Sequence, residues 1–248
     1  MSGHSKWASI KHKKGLADAK RGQAFTKLIR EITVAARHGG GDPNANPRLR
    51  LVMEKAREAN MPKDNVEKAI KRGTGELEGV TYEEVTYEAY GPGGIALYIE
   101  ALTDNKNRTT AEIRNLLTKR GGNMAGAGAT AWLFHKKGYL LVDKTVVEEE
   151  RLMNTVLEAG AEDLKTEGTA FEITTDPKTF EAVKMALAAA KTPTTSAEVT
   201  MLPTTTVRVA GADAKQVLAL VESLEEQDDV QHVYANFDIP DEILAEAV

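Results

Sequence analysis

Between Gly73 and Gly79 the chain changes its periodicity and its sign of charge together, and any fold it adopts has to accommodate that break. Before it, Phe25, Leu28, Ile29, Ile32 and Ala36 recur at three- and four-residue steps, the spacing of one apolar face of an α-helix. After it, runs such as Val85 to Tyr90 and Ile95 to Ile99 read as strands. Residues 1–75 hold 17 Lys and Arg against 7 Asp and Glu, a balance of +10, whereas residues 76–248 hold 15 against 30, a balance of −15. The formal net charge of −5 conceals this division. It suits a polyanion at the basic end, with the acidic remainder turned away from phosphate; a merely solvated basic face is the plainer alternative.

The basic end is expected to be an arm followed by three short helices. Lys6 to Lys20 has little helical periodicity. On the first helix Lys20, Lys27, Arg30 and Arg37 lie opposite the apolar stripe, and Gly39-Gly40-Gly41 ends it. Asn46-Pro47 caps a second helix that runs through about Ala59, and Met61-Pro62 repeats the signal for a third, which turns Val66, Ala69 and Ile70 inward and stops at Gly73. Such a bundle has too little core to be very stable alone.

Beyond the glycine-rich boundary, Gly91-Pro92-Gly93-Gly94 joins two strands as a hairpin, and a helix from about Arg108 to Lys119 leads to a strand near Ala131 to Phe134. From Tyr139 the order is strand, helix, strand, strand, helix, strand, the β-α-β-β-α-β order of a ferredoxin-like domain. The remaining strand, helix and strand, Thr206 to Phe237, complete no domain alone but do so if they pair with residues 80–135; two sequential domains are the alternative. The expected fold is therefore α+β and multidomain. Residues 1–75 are a basic arm and helical domain, 76–136 with 205–248 a discontinuous α/β domain, and 137–204 a ferredoxin-like domain inserted in it.

The absence of cysteine excludes disulfides, thiolate metal sites and thiol nucleophiles. His4, His12, His38, His135 and His232 form no ligand spacing, so no metal is expected. Gly126-x-Gly128-x-x-Ala131 matches a loose dinucleotide fingerprint but follows a helix and enters a strand, the reverse of what that motif requires. No cofactor and no catalytic residue are expected. A hydrolase with acidic residues in an interdomain cleft is the alternative class; it requires two carboxylates converging with raised pKa. There is neither a signal-peptide pattern nor an apolar run near the roughly 20 residues of a membrane span, so the chain reads as soluble and cytoplasmic.

Candidate nucleic-acid contacts are Lys6, Trp7, Lys11, His12, Lys13 and Lys14 in the arm, and Lys27, Arg30, Arg37, Arg48 and Arg50 on the helices. Trp7 either stacks on an unpaired base or packs the arm onto the bundle. Thr103 to Thr109 lies between a strand and a helix; it caps that helix, and Lys106 and Arg108 with the free helix amides suit a phosphate as well.

Together MSGHSKWASIKHKKG at Met1 to Gly15, DPNANPRLR at Asp42 to Arg50, NMPKDN at Asn60 to Asn65, YGPGG at Tyr90 to Gly94 and LTDNKNRT at Leu102 to Thr109 resemble the YebC family over nearly the whole chain. The match is looser at Gly126 to Thr130, where the family pattern is more polar. The resemblance implies three domains, one helical and two α/β, without a cofactor. It also implies either a DNA-binding transcriptional regulator or a ribosome-associated factor that helps translation through proline-rich stretches. The expected partner is nucleic acid, duplex DNA or ribosomal RNA with the ribosome itself, bound by a monomer away from membranes.

Overall fold

The computed structural model describes residues 18–240 and residue 243; the arm up to residue 17 lies outside them, and the first helix takes in its last residues from Asp18. Three helices come first: α1 (Asp18–Gly39), α2 (Pro47–Glu58) and α3 (Lys63–Thr74). Their shared core is Ile32, Ala35, Leu49, Val52, Ala56, Met61 and Ala69, with Phe25, Leu28 and Ile29 against it. Asn46 fixes the turn between α1 and α2. Its Oδ1 accepts from the Leu49 amide at 3.0 Å, capping α2, while its Nδ2 donates to the carbonyls of Ala35 at 2.8 Å and Gly40 at 2.9 Å. The third helix does not stop at Gly73. Gly73 lies inside it because α3 crosses α1 so closely that a Cβ there would sit 2.4 Å from the Thr33 carbonyl oxygen; Gly75, at φ 84°, is the left-handed cap.

The second unit is built on an antiparallel sheet in the order β3-β1-β2-β9, from β1 (Glu83–Tyr90), β2 (Ala96–Thr103), β3 (Asn123–Met124) and β9 (Val230–Ala235). The hairpin between β1 and β2 closes over Pro92–Gly94, where Gly93 has φ 70° and a Cβ would lie 2.5 Å from Val209. Helices α4 (Lys106–Lys119) and α7 (Gly211–Glu225) cover one face, and the core between holds Tyr87, Leu97, Ile99, Ile113, Leu117, Val217 and Leu220. β2 pairs with β9 from Leu97↔Ala235 to Ala101↔Val230, so chain ends more than a hundred residues apart share this sheet. The Thr206 to Val209 stretch does not join it. Val207–Arg208 (β8) instead pairs in parallel with Phe237–Asp238 (β10) as a separate two-stranded ribbon.

Between these pieces lie β4 (Phe134–Asp143), α5 (Glu149–Glu158), β5 (Ala161–Glu167), β6 (Ala170–Thr175), α6 (Phe180–Ala189) and β7 (Ser196–Pro203). The sheet order is β5-β6-β4-β7 with every pair antiparallel, as a split β-α-β unit requires. Leu140, Val142, Leu152, Val156, Ile173, Val183 and Leu187 fill the space under its helices. The expected strand at Ala131 to Phe134 is replaced by a 3₁₀ turn, Ala131–Leu133, and β4 begins at Phe134, earlier than the Tyr139 start expected. Lys136-Lys137-Gly138 interrupts the apolar pattern, but the whole of β7 pairs across it, from Phe134↔Pro203 to Leu141↔Ser196.

Candidate nucleic-acid interface

The helical bundle is joined to the β1–β2–β9 unit by its own basic residues, and this changes the reading of several candidate contacts. Arg30, expected on the outer face of α1, points into the joint instead. Its side chain is 13% exposed, and Nη1 lies 2.5 Å from Asp229 Oδ1 and 2.7 Å from the Asp228 carbonyl. The guanidinium also sits 5.4 Å from the ring centre of Tyr82. Lys27 Nζ donates to the Glu225 carbonyl and Gln23 Nε2 to that of Glu226, so both satisfy the carboxyl end of α7, where cations and donors are favoured. Arg48 pairs with Glu84.

Asp229 is the centre of this joint. Its carboxylate is 5% exposed; Oδ1 takes Arg30, and Oδ2 accepts from Arg108 at 2.9 Å, Thr109 Oγ1 at 2.5 Å and Thr103 Oγ1 at 3.2 Å. Burial pushes its pKa up, but Thr109, Arg108 and Arg30 outweigh burial and leave the group below its ordinary value. The Thr103 to Thr109 loop thus caps α4, through the Arg108 amide on Asn105 Oδ1 at 3.1 Å, and also locks the bundle in place. Arg108 further pairs with Asp104 at 2.7 Å. Nothing in the sequence marked Asp229 for this role. It ends the run Glu225-Glu226-Gln227-Asp228-Asp229, which reads as solvated surface, and only pairing across the fold buries it.

A second joint runs across the other face of the sheet. Phe134, Tyr98, Tyr234 and His232 stack in a row with ring centres 6.1, 6.3 and 5.9 Å apart. His232 Nε2 lies 3.4 Å from Glu31 of α1, and the Tyr234 hydroxyl donates to Glu100 at 3.2 Å. Burial and Glu100 raise the Tyr234 pKa. The inserted unit enters this row through Phe134 and the bundle through Glu31.

Among the candidate contacts within the described residues, Arg37 in the last turn of α1, Arg50 on α2 and Lys106 in the first turn of α4 stand exposed, and so do Arg48 and Arg108, which are engaged by Glu84 and by Asp104 and Asp229. Lys6, Trp7, Lys11, His12, Lys13 and Lys14 lie outside the described residues. Arg57, Lys68, Lys71 and Arg72 are also exposed on the bundle and were not singled out from the sequence, although the helical spacing of their apolar neighbours places them outward.

Glu31, Glu84, Glu88 and Asp229 are each held below the ordinary carboxylate value. Such a shift keeps these four groups ionised, whereas a general acid needs the opposite one. Glu88 shows the cause most clearly. Burial opposes its charge, but the amides of Thr130 at 2.5 Å, Gly128 at 2.6 Å and Ala131 at 2.7 Å outweigh that and hold it ionised. Its work is to pin the glycine-rich loop 125–131.

The arrangement is that of a three-part α+β protein in which ionised side chains serve as joints between units. The chain belongs to the TACO1/YebC family: the family's N-terminal domain matches residues 5–76, and its second and third domains match residues 82–237. It is 57% identical over 246 residues to a "probable transcriptional regulatory protein" of Desulfatibacillum aliphaticivorans, covering 99% of this chain and 100% of that one. A protein of the same description from Dictyoglomus turgidum is 57% identical over 245 residues, 98% of each chain. The crystal structure of a conserved hypothetical protein from Aquifex aeolicus superimposes with a TM-score of 0.77 at 48% identity, over 90% of this chain and 92% of that one.

Proposed function

We propose that this protein is a non-enzymatic, nucleic-acid-binding regulator of gene expression that contacts its target with the basic arm and the helical bundle. The observation that carries this reading is the charge division, +10 over residues 1–75 against −15 beyond. Long-range attraction draws the basic end to phosphate, and the acidic units orient the molecule by repulsion. In this reading Lys6, Lys11, Lys13, Lys14, Arg37, Arg50 and Lys106 meet phosphate. Lys27, Arg30 and Arg48 hold the bundle at a set angle to the rest, through the contacts with Glu225, Asp229 and Glu84, and Arg108 braces Asp229 from within the second unit. The descriptions of the relatives favour a transcriptional regulator acting on duplex DNA. A basic arm ordering on an irregular RNA surface favours a ribosome-associated translation factor. Sedimentation of cell lysate on a sucrose gradient separates the two. Co-migration with ribosomes that survives DNase supports translation, co-migration lost on DNase supports DNA, and a protein found only at the top of the gradient under low salt counts against the reading.

A further inference from the structure

The connector between α3 and β1, residues 75–82, is folded back against the bundle. The Leu77 amide donates to the Lys71 carbonyl at 3.1 Å, and a Cβ on Gly79 would lie 3.1 Å from Arg72 Cγ, so the connector follows the last turn of α3. Farther on, the Tyr82 ring lies against the Arg30 guanidinium of the Asp229 joint, 5.4 Å from the ring centre. Between these two attachments the connector encloses, with α1 and α3, a cleft of about 240 Å³. Ile29 of α1 and Val80 and Tyr82 of the connector give it apolar walls, and Val80 is left 49% exposed there.

Two charges of opposite sign complete the lining, Arg72 from α3 and Glu78 from the connector. Among the described residues neither side chain has an ion pair or a hydrogen bond, with the other or with any third group. Elsewhere on the bundle an exposed Arg and Glu do pair, at Arg48 and Glu84. The Thr33 hydroxyl, also at the cleft, is taken up by the carbonyls of Ile29 at 2.8 Å and Ala69 at 3.3 Å. The polar groups open to an occupant are therefore one guanidinium, one carboxylate and the Tyr82 hydroxyl.

We propose that this cleft binds a free α-amino acid with a branched or aromatic apolar side chain, its carboxylate on Arg72, its ammonium on Glu78 and its side chain among Ile29, Val80 and Tyr82. The volume lies below the ~300 Å³ at which sites for drug-sized ligands begin, which leaves out nucleotides and most cofactors. An anion would gain Arg72 but meet Glu78, and a cation the reverse. An uncharged apolar molecule would take both charges out of water and pair neither. A zwitterion with an apolar group meets every part of the lining, with a charge-assisted hydrogen bond at each end and the planar guanidinium fork matched to a carboxylate. The occupant bridges α1, α3 and the connector, and it braces the ring that backs Arg30, so the site is that of a small effector which stiffens the hold on the bundle. The inference stands apart from the nucleic-acid reading, and either can fail without the other.

The test titrates the full-length chain with leucine and with phenylalanine at millimolar concentration, and follows the backbone amides by nuclear magnetic resonance. Saturable shifts are expected at Ile29, Thr33, Gly79 and Val80. N-acetyl-leucine, which lacks the ammonium, and leucine amide, which lacks the carboxylate, should each bind about tenfold more weakly than leucine. The variants should reproduce this chemistry from the protein side. Arg72→Gln is expected to weaken leucine about tenfold and leave leucine amide unchanged, whereas Glu78→Gln weakens leucine and leaves N-acetyl-leucine unchanged. Both side chains are exposed, so unchanged melting of the two variants is the control for folding. Absence of saturable shifts with both amino acids, or shifts that map away from the cleft, overturns the proposal. So does leucine binding that survives both substitutions. If N-acetyl-leucine or leucine amide binds as tightly as leucine, the cleft takes an apolar group without reading both charges, and the zwitterion assignment is wrong.

Discussion

Replacing Asp229 by asparagine keeps the shape of the side chain and removes the charge that Arg30 and Arg108 share. The variant should lose about 2–3 kcal/mol of stability, because Arg30 is left in the joint without its counter-charge. Denaturant unfolding measures this. Acid gives the same result by another route. A carboxyl held below its ordinary value of 3.8 stabilises the fold above that pH, and the contribution is lost as pH falls through the depressed value. The melting temperature of the parent should therefore drop more steeply below about pH 4 than that of Asp229→Asn. Glu88 acts on a smaller scale. Glu88→Gln keeps a single acceptor oxygen where three amides now converge, so exchange of the Gly128, Thr130 and Ala131 amides should quicken about tenfold, with global stability much less affected. Neither acid was legible as a functional residue. A carboxylate becomes a joint only when donors distant in the chain meet at it, and spacing along a sequence carries no record of that meeting.

Among the elements, α3 shows how a local signal can be right in kind and wrong in reason. Gly73 looks like a helix stop, yet the helix continues to Thr74 because the residue is needed at the crossing with α1. Gly73→Ala adds helix propensity and should still destabilise the bundle by about 1–3 kcal/mol, since the methyl group collides with backbone that cannot move aside. Loss of α-helical circular dichroism at lower temperature checks this; a gain in stability would show that the helices can separate. Caps and turns behaved differently. Asn46-Pro47 and Gly91 to Gly94 sit where the sequence puts them, because their backbone preferences are local. In β4, Lys136 and Lys137 interrupt the apolar pattern of the sequence, yet both pair with β7, in a register that runs from Phe134 to Leu141.

For the molecule as a whole, the charge division sets what binding should look like. With about four to six phosphates neutralised, the slope of log affinity against log salt on duplex DNA should be roughly −4 to −5, and a slope near zero would contradict the proposed contact surface. Replacing Lys6, Lys11, Lys13 and Lys14 together by alanine should flatten that slope while leaving helical circular dichroism and melting nearly unchanged, because the bundle core is Phe25, Leu28, Ile29 and Ile32 with their partners. The sequence by itself determined the helices and the longer strands, the β-α-β-β-α-β order, the polarity of the charge and the absence of cysteine. These follow from periodicity, turn preference and composition, which act over a few residues at a time. Tertiary structure alone decided that β9 lies beside β2, that Val207–Arg208 leaves the main sheet, that Arg30 and Arg48 join the bundle to the second unit, and that Arg108 is spent on Asp229. A cation looks the same in a sequence whether it will face phosphate or a buried carboxylate; which it meets depends on desolvation and on partners brought close only by the completed fold.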